Sequence, residues 1–380
     1  MPSIITHDTF GRDLYNTLSE IIGQSDAEKD AYLLGCQGPD VLFYGSINPL
    51  AKSANSFGRA LHRSRCTKFL TSLIASYSLL TKKYTDKVVS DIAQGKDGMA
   101  DEDGNLFESG INATRYAELS EKLRVERAFI LGFAMHWQLD SVMHPFVFSQ
   151  QYNICDAGVE GLDRRSGSEV HVEIEREFDE LVLYVKRKEI IESFNPAERI
   201  LIASNSTLLA IDELLSLAIP KVYNRGISPK MYTYSVKATR QVQRLLYSAG
   251  GIKRNFIGDV ETVFRRHSYL RAITHRNRAI TRSEFDNAEH NRWFDPWVKT
   301  VSYTDSFWDL YDKSLAAGIE NIGLFAGLID KGHELADFGK SYQGIYTDIF
   351  EDVKDITKNK NFYGASENII NEATGKPEGY

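Results

Sequence analysis

Metal-binding residue types recur at helical spacing in one apolar stretch of the chain. His136, Asp140 and His144 stand four residues apart within residues 128–145, which are otherwise mostly apolar. On an α-helix these positions share one face, because the helix turns by about 100° per residue. Two imidazoles and a carboxylate are costly to bury unless a metal ion or other polar partners satisfy them. The stripe therefore predicts a metal site inside a helical protein.

A second pair of residues repeats this spacing. His171 and Glu175 are also four residues apart, in a separate segment. Two such helices facing each other could present five nitrogen and oxygen ligands to the space between them, as helical bundles with internal metal sites do. A single His and Asp one turn apart more often form a simple hydrogen-bonded pair. Because the coincidence recurs in a chain with nine histidines, metal binding is the favoured interpretation.

Helices must position these side chains. Apolar residues recur with a helical period along most of the chain, which predicts an all-α fold. Pro145 disfavours helical geometry at His144, so we expect the helix to end or kink there and to turn His144 toward a different ion from His136. The sequence contains no alternating strand pattern of convincing length. Helices are predicted over residues 8–22, 27–36, 56–84, from 112 through the stripe, from 167 past 185, and over 198–217, 229–248, 260–272, 306–329 and 344–356.

Three other residues stand near helix ends or turns in the N-terminal region. His7 directly precedes the first predicted helix, which we expect Asp8 to cap. Asp40 follows a Gly-Pro pair on a predicted turn, and His62 lies near the start of the helix predicted over 56–84. None of these positions identifies a function by itself.

Length and composition describe an ordinary globular protein. The 380 residues allow one large or two modest domains, and 42% of them are apolar against 26% charged. No apolar run approaches the roughly 18 residues of a membrane span, and the N-terminus lacks the features of a signal peptide. We therefore expect a cytoplasmic location. Cys36, Cys66 and Cys155 have no metal-like spacing and are predicted to be reduced and buried.

Charge limits the class of partner. A net charge of -7 argues against indiscriminate nucleic-acid binding, which depends on neutralising phosphates. One basic stretch could follow a phosphate backbone, although a solvated face partly paired with acidic residues is the favoured interpretation. It comprises Arg265, Arg266, His267, Arg271, His275, Arg276, Arg278 and Arg282.

Two other segments differ in composition from the predicted helices. Residues 91–109 are predicted to form a solvated acidic loop. The polar and aromatic segment 285–297 either plugs one end of the bundle or lines a pocket.

The combination of motifs resembles the zinc-dependent phospholipase C family, whose fold is shared by nucleases of the S1/P1 type. The resemblance covers roughly residues 1–190, and the rest is similar to the C-terminal helical extensions of bacterial relatives. Each motif alone is weak, but together they are specific. They are Thr6 and His7 followed by Phe10 and Gly11, then Gly35 to Asp40, Leu61 and His62, His136 with Asp140, His144 and Pro145, and His171 with Glu175.

The resemblance implies a phospholipase C-like helical bundle that binds two to three zinc ions. Asp40, His62, His136 and Asp140 would hold one ion, and His144, His171 and Glu175 would hold a second. The third would be held by His7 together with Asp140, which would bridge two ions. Secreted relatives use a mature N-terminal residue as a ligand, and here the amine of Pro2 could take that place after removal of Met1.

The resemblance also implies three units along the chain and a reaction. Residues 1–190 would form the metal-binding domain, residues 191–358 a helical extension packed on it, and residues 359–380 a flexible tail. The leading hypothesis is a zinc-dependent phosphoester hydrolase in which Asp40 binds a metal or orients the attacking water. Its substrate would be a phospholipid headgroup or a nucleotide.

Two alternatives stay open. The first is an S1/P1-type nuclease on the same scaffold, which aromatic stacking residues in the pocket would favour, whereas a wide apolar mouth would favour lipid. The second is a non-catalytic protein stabilised by metal sites that are saturated with protein ligands. A phosphohydrolase of the HD type would leave His171, Glu175 and Asp40 without a role.

Overall fold

The computed structural model describes residues 4–93, 110–158, 163–247, 274–371, 374 and 376–377. Helices dominate this part of the chain, which confirms the all-α prediction. The helices are α1 (Ile4–Ile22), α2 (Asp26–Cys36), α3 (Leu42–Gly45), α4 (Ala54–Arg63), α5 (Cys66–Ala93), α6 (Gly110–Asp156), α7 (Gly167–Arg187), α8 (Pro196–Arg199), α9 (Asn205–Tyr223), α10 (Met231–Leu246), α11 (Phe307–Asp337) and α12 (Tyr342–Thr357).

Two small antiparallel ribbons accompany the helices. The first pairs β1 (Trp293–Phe294) with β2 (Ser302–Tyr303), and the second pairs β3 (Ile370–Asn371) with β4 (Lys376–Pro377). Both are too short to show an alternating pattern in the sequence. Two predicted elements, the acidic run within 101–108 and the helix over 260–272, lie outside the described residues, as does Pro2.

The long helix α6 carries the central stripe and packs against α2, α7, α9 and α11. Its closest neighbour is α2, because a Cβ atom on Gly132 would lie only 2.0 Å from the carbonyl oxygen of Tyr32. The two backbones can approach so closely only because Gly132 has no side chain. This contact brings the turn after α2, which carries Asp40, up to the stripe on α6.

The structure does not end α6 at Pro145, so the helix end that was one of the two expected outcomes is wrong. The helix continues to Asp156, and His144 lies inside it. A proline inside a helix costs about 3 kcal/mol. The residues that follow, Phe146 and Val147, are both 1% exposed, and burying two such side chains offsets a cost of that size.

The structure places His7 inside α1 rather than before it. The helix begins at Ile4, and its first amides are capped by Asp179 of α7 instead of by Asp8. Asp8 forms ion pairs with Arg12 and Arg187. Because the capping carboxylate comes from a distant element, the local sequence could not indicate where the helix starts.

The helix predicted over 56–84 is divided into α4 and α5. Ser64 is extended and Arg65 has a φ of 64°, so the helical path breaks between them. The break is held by tertiary contacts: the Tyr223 hydroxyl donates to the Ser64 carbonyl at 2.8 Å, and the backbone amide of Cys66 donates to Glu367.

Part of the predicted flexible tail packs against the interior. Phe362 and Ala365 are fully buried, and the indole of Trp137 donates to the Lys360 carbonyl at 3.0 Å. A Cβ atom on Gly364 would lie 2.6 Å from the Ser141 carbonyl oxygen, so this residue touches α6 through its backbone. The segment thus joins α6 beside the stripe.

The remaining elements surround this core. The helix α11 packs on α5 and α6, and α12 packs on α5. The polar and aromatic segment 285–297 lines a cavity of about 880 Å³ between α6 and α11 through Trp293 and Asp295. Cys36, Cys66 and Cys155 are buried, as expected. None of the described helices has both the length and the apolar character that a membrane crossing requires.

Candidate metal centre

The structure brings all eight predicted ligands together in the interior. Their fractional exposures are 9% or less, so each is almost completely removed from water. They come from five helices or turns: α1, the turn after α2, α4, α6 and α7. The eight are His7, Asp40, His62, His136, Asp140, His144, His171 and Glu175.

One part of the centre lies between α4, α6 and the turn after α2. The Nε2 atom of His62 is 2.9 Å from Oδ1 of Asp40, and Nε2 of His136 is 3.2 Å from Oδ2 of Asp140. Both Nε2 atoms and the Asp40 Oδ1 atom are buried without a hydrogen-bond partner among the described residues. Atoms that approach so closely without bonding to one another are oriented as ligands of a common cation.

Asp140 occupies the middle of the cluster. Its Oδ1 atom lies 3.1 Å from Nε2 of His7, while its Oδ2 atom lies 3.9 Å from Nε2 of His62. Oδ2 also lies 3.2 Å from Nε2 of His136. The two oxygens therefore face different imidazoles, which is the arrangement that a bridging carboxylate requires.

A second part of the centre lies between α6 and α7. Oε1 of Glu175 lies 3.5 Å from Nε2 of His144 and 3.4 Å from Nε2 of His171. The rings of the two histidines are stacked, with centroids 5.5 Å apart. This group joins the two sequence segments whose repeated spacing first indicated a metal site.

Hydrogen bonds fix which nitrogen each histidine offers. Nδ1 of His62 lies 2.7 Å from the Gly58 carbonyl oxygen, and Nδ1 of His136 lies 3.0 Å from that of Cys36. A carbonyl oxygen can only accept, so each Nδ1 carries the proton and each Nε2 presents its lone pair to the centre. Such partners commonly orient metal-binding histidines.

The second group is oriented in the same way by distant elements. Nδ1 of His144 donates to the Phe362 carbonyl oxygen at 2.7 Å, and Nδ1 of His171 donates to Oε1 of Gln151 at 2.9 Å. A carbonyl and an amide oxygen are both neutral acceptors, so neither adds charge to the site. The four Nε2 atoms therefore converge with their lone pairs free for a cation.

Burial and charge hold Asp140, His136 and His171 in the protonation states that bind cations, whereas neighbouring carboxylates raise the pKa of His7 and of His144 against the effect of burial. Burial by itself would raise the pKa of Asp140, but His144 and His136 hold that pKa well below its usual range. Burial lowers the pKa of His136 and of His171, which favours their neutral forms. Ionised carboxylates and neutral imidazoles are the forms in which these residues coordinate a metal.

The donor set and spacing fit zinc. Zinc binds imidazole nitrogen and carboxylate oxygen at about 2.0–2.2 Å, so neighbouring ligand atoms of a tetrahedral site lie about 3.3 Å apart. Five pairs of ligand atoms lie 2.9 to 3.5 Å apart, close to that value, and Nε2 of His62 and Oδ2 of Asp140 are 3.9 Å apart. Imidazole and carboxylate together suit zinc better than calcium or magnesium, which prefer oxygen alone.

A cleft of about 770 Å³ opens onto the centre. Its walls include three of the ligands, His62, His144 and His171, so the metal-binding atoms face a space that a molecule could enter. Aromatic rings also line it, namely Phe43, Tyr44, Phe148 and Tyr363. Five cationic side chains surround the opening: Arg59, Arg63, Arg164, Arg165 and Lys376.

The sequence did not indicate these five cations. It indicated instead the basic stretch between Arg265 and Arg282 as a possible phosphate-binding surface. Arg276 and Arg278 pair with Glu177 and Glu180 of α7, and they do not line the cleft. Arg282 pairs with Asp286 and Glu289, and His275 with Asp179. Arg265, Arg266, His267 and Arg271 lie outside the described residues. Where the structure describes the basic stretch, its charges are paired with acidic residues, as the favoured interpretation expected.

The five cleft cations were hidden because they are scattered along the sequence. Arg59 and Arg63 flank His62 on α4, Arg164 and Arg165 begin a short 3-10 helix before α7, and Lys376 lies on β4. The one local signal was the position of Arg59 one helical turn before His62. The rest required the tertiary structure.

Comparison with known families supplies independent information. The family model described as zinc dependent phospholipase C matches residues 6–216 of the chain. Comparisons with curated proteins and with solved structures returned no match. The matched stretch is more than half of the 380 residues and includes all eight ligands. The chain therefore belongs to the zinc-dependent phospholipase C family.

Proposed function

We propose that this protein is a phospholipase C-like phosphodiesterase that uses two to three zinc ions. One ion would be held by Asp40, His62, His136 and Asp140. His7 and Asp140 together would help to hold a third ion. His144, His171 and Glu175 would hold the remaining one. The grouping follows the short distances among these atoms.

The position of the cationic cleft carries the proposal. A phosphodiester is an anion, and the cleft presents arginines beside the ligand atoms of His62, His144 and His171. Arginine binds phosphate oxygens through charge-assisted hydrogen bonds. A net charge of -7 makes a local excess of cations unusual in this chain, so its location at the metal centre points to an anionic substrate.

The residues of the chain suggest how hydrolysis would proceed. Zinc, when bound, lowers the pKa of water to near neutral and stabilises charge on phosphoryl oxygens. Arg63 can bind a non-bridging oxygen of the phosphodiester and hold its phosphorus next to the centre. Asp40 is buried, and its Oδ1 atom has no hydrogen-bond partner among the described residues, so it can orient the attacking water.

Nuclease activity is the second candidate. The aromatic lining of the cleft supports it, because Phe43 is half-buried and its ring centroid lies 5.1 Å from that of His62. A base could stack there while its phosphate met Arg59. A purely structural metal site is less well supported, since three ligands line an open cleft and a structural site would be closed.

The proposal is tested with the full chain expressed in zinc-containing medium. Metal content is measured by mass spectrometry, and hydrolysis is followed on a chromogenic phosphocholine ester, short-chain phospholipids and single-stranded DNA. We expect two to three zinc ions per chain and cleavage of a phosphodiester that His62→Ala abolishes. A zinc-loaded protein that cleaves no ester would contradict the proposal and favour a binding role.

Asp40 is tested separately with Asp40→Asn, which preserves the shape of the side chain. Loss of zinc would identify Asp40 as a ligand. Retention of zinc with a rate lowered by about a hundredfold would identify it as the residue that orients water. A variant with unchanged zinc and unchanged rate would remove Asp40 from both roles.

A further inference from the structure

The cleft beside the metal centre has far more positive charge than one phosphate needs. It contains five cations, and Glu169 is the one carboxylate among its described lining residues. The Glu169 carboxylate accepts a hydrogen bond from Ser168 at 2.8 Å, so it pairs with a neutral hydroxyl. Arg164 forms an ion pair with Asp156 at 2.5 Å, which leaves four cations against Glu169 at the entrance to the site.

Arg59 is held in place by a neutral partner. Its Nε atom donates to Oδ1 of Asn55 at 2.9 Å, and the Asn55 amide donates in turn to the Phe43 carbonyl at 2.9 Å. In the part of the chain that the structure describes, no carboxylate lies within ion-pair distance of Arg59 or Arg165. An amide orients a guanidinium without neutralising it, so the charge of Arg59 stays available to a ligand.

A second group of cations crowds around one aromatic ring. The Arg164 guanidinium carbon lies 4.6 Å from the Tyr152 ring centroid, and the Lys376 ammonium lies 5.2 Å from the same centroid. Burial lowers the pKa of Lys376, and the nearby charges of Arg164 and Arg63 lower it further. Such repulsion is relieved when an anion binds between like charges.

The aromatic rings of this side of the cleft are already covered. Lys376 lies over Phe148 at 5.4 Å as well as over Tyr152, and the other neighbours of Phe148 include Trp297, at a centroid distance of 5.1 Å. A quaternary ammonium group is usually bound by open aromatic faces. Here cations of the protein occupy those faces, and they would repel a positively charged headgroup.

We propose that the cleft selects phosphodiesters whose headgroup bears a second phosphate, and that it discriminates against headgroups with a quaternary ammonium. The inference rests on the proposed phosphodiesterase function and specifies its substrate class. The metal centre and Arg63 would receive the scissile phosphate, while Arg59, Arg165 and Lys376 would receive the second one. The compact cleft favours a phosphorylated lipid headgroup over a polynucleotide, which would need a longer basic track.

Three short-chain lipids with identical acyl chains test the proposal below their micellar concentrations. Their headgroups are choline, inositol and inositol 4-phosphate, which differ in charge while the scissile bond stays the same. We expect kcat/KM to increase in that order, with the phosphorylated lipid cleaved at least about tenfold faster than the choline lipid at low salt. Added salt should reduce this advantage.

Variants identify the residues responsible. Arg59→Gln and Arg165→Gln should each lower kcat/KM for the phosphorylated lipid by about tenfold and leave the choline lipid almost unchanged. Arg292→Gln, at an exposed arginine outside the cleft, is the matched control and should change neither. Zinc content is measured for every variant to confirm that the centre is intact.

Binding provides a readout that does not depend on turnover. Calorimetry on the zinc-loaded protein compares inositol 1,4-bisphosphate with phosphocholine, and we expect the bisphosphate to bind more tightly by about tenfold or more. Equal or tighter binding of phosphocholine, or equal rates on the three lipids, would overturn the selectivity. Cleavage of single-stranded DNA in preference to all three lipids would overturn it in favour of a nuclease.

Failure of the proposed phosphodiesterase function can be distinguished from failure of the proposed substrate class. If zinc-loaded protein hydrolyses none of the lipids and no DNA, the phosphodiesterase proposal fails, and the substrate class fails with it. If it hydrolyses the choline lipid best, the phosphodiesterase proposal stands and the substrate class is wrong.

Discussion

The carboxylate of Asp179 accepts two hydrogen bonds from Thr6, one from its backbone amide at 2.8 Å and one from its hydroxyl at 2.7 Å. Thr6 is the residue before His7, and Asp179 is completely buried. The pair therefore fixes the start of α1 and, with it, the direction of the His7 side chain. A residue of α7 thus positions a candidate metal ligand on α1 and is not itself one of the eight candidates.

We expect Asp179→Ala to destabilise the fold by about 1–3 kcal/mol and to lower zinc content by up to one ion per chain. Asp179→Asn keeps one acceptor oxygen, so it should retain part of the stability and part of the zinc content that Asp179→Ala loses. Chemical denaturation and metal analysis measure the two effects. Ser306→Ala removes the cap of α11 and is the control, because it should reduce stability while zinc content stays the same. Equal zinc in the Asp179→Ala protein and the wild type would refute the positioning role.

Removal of Asp140 should release more metal than removal of any imidazole. Its two oxygens face His7, His136 and, at longer range, His62, so we expect the carboxylate to bridge two ions. Asp140→Ala should lose more than one equivalent of zinc, and His62→Ala should lose about one. The measurement is metal content after gel filtration without added zinc. Equal losses in the two variants would show that Asp140 does not bridge.

Gln151 should control zinc affinity without binding zinc. Its Oε1 atom accepts the Nδ1 proton of His171 and so keeps Nε2 turned to the centre. Loss of such a partner typically costs about 10–100-fold in metal affinity. We therefore expect Gln151→Leu to weaken one zinc site by that factor in a chelator competition titration.

The neighbouring Gln150 offers a matched control for this prediction. Its amide donates to the Phe285 carbonyl at 2.9 Å and has no contact with a ligand histidine. Gln150→Leu should therefore keep the zinc affinity of the wild type. If both variants bind zinc equally well, the orientation of His171 does not depend on Gln151.

Glu126 should make stability depend on pH. It is completely buried in α6, neither carboxylate oxygen has a hydrogen-bond partner among the described residues, and the Lys122 ammonium is 3.9 Å away. Burial raises the pKa of Glu126 to about 8, Lys122 opposes this, and Glu213 adds to it. Below the unfolded pKa of 4.5, both states are protonated and no cost arises.

As pH increases from 4.5 toward about 8, the unfolded chain releases the Glu126 proton while the folded protein keeps it. Stability therefore falls with pH, by up to about 1.4 kcal/mol per pH unit. Glu126→Gln removes this pH dependence. The free energy of unfolding of the variant, relative to that of the wild type, should therefore increase between pH 6 and pH 8. Urea unfolding in saturating zinc measures it, with Glu121→Gln on the exposed face as control. An advantage that does not change with pH would show that Glu126 is ionised in the folded state.

The part of the site that the sequence predicted is the part set by local spacing. His136, Asp140 and His144 had to share a face once their segment formed a helix, and His171 with Glu175 followed the same rule. The capping box at the start of α2, formed by Ser25 and Glu28, is also a local feature. Each of these features depends on residues within about two turns of one another.

The features that were missed depend on contacts across the chain. His7 was placed before α1 because its cap, Asp179, lies 173 residues from Thr6 in the sequence. The division between α4 and α5 was missed because Tyr223 and Glu367 stabilise it from far away. The same holds for the cationic cleft, to which Arg59, Arg165 and Lys376 come from three separate regions. No local pattern contains such information.

The hydrogen bond from His144 to the Phe362 carbonyl has a consequence for how the protein is made. The acceptor lies 218 residues beyond the histidine, near the C-terminal end of the chain. Synthesis on the ribosome proceeds from the N-terminus, so all eight ligands emerge long before the group that orients His144. The orientation of the ring nitrogen facing Glu175 is therefore coupled to synthesis of the segment around residue 362. A nascent chain that stops before that segment would contain all eight candidate ligands without the hydrogen bond that orients His144.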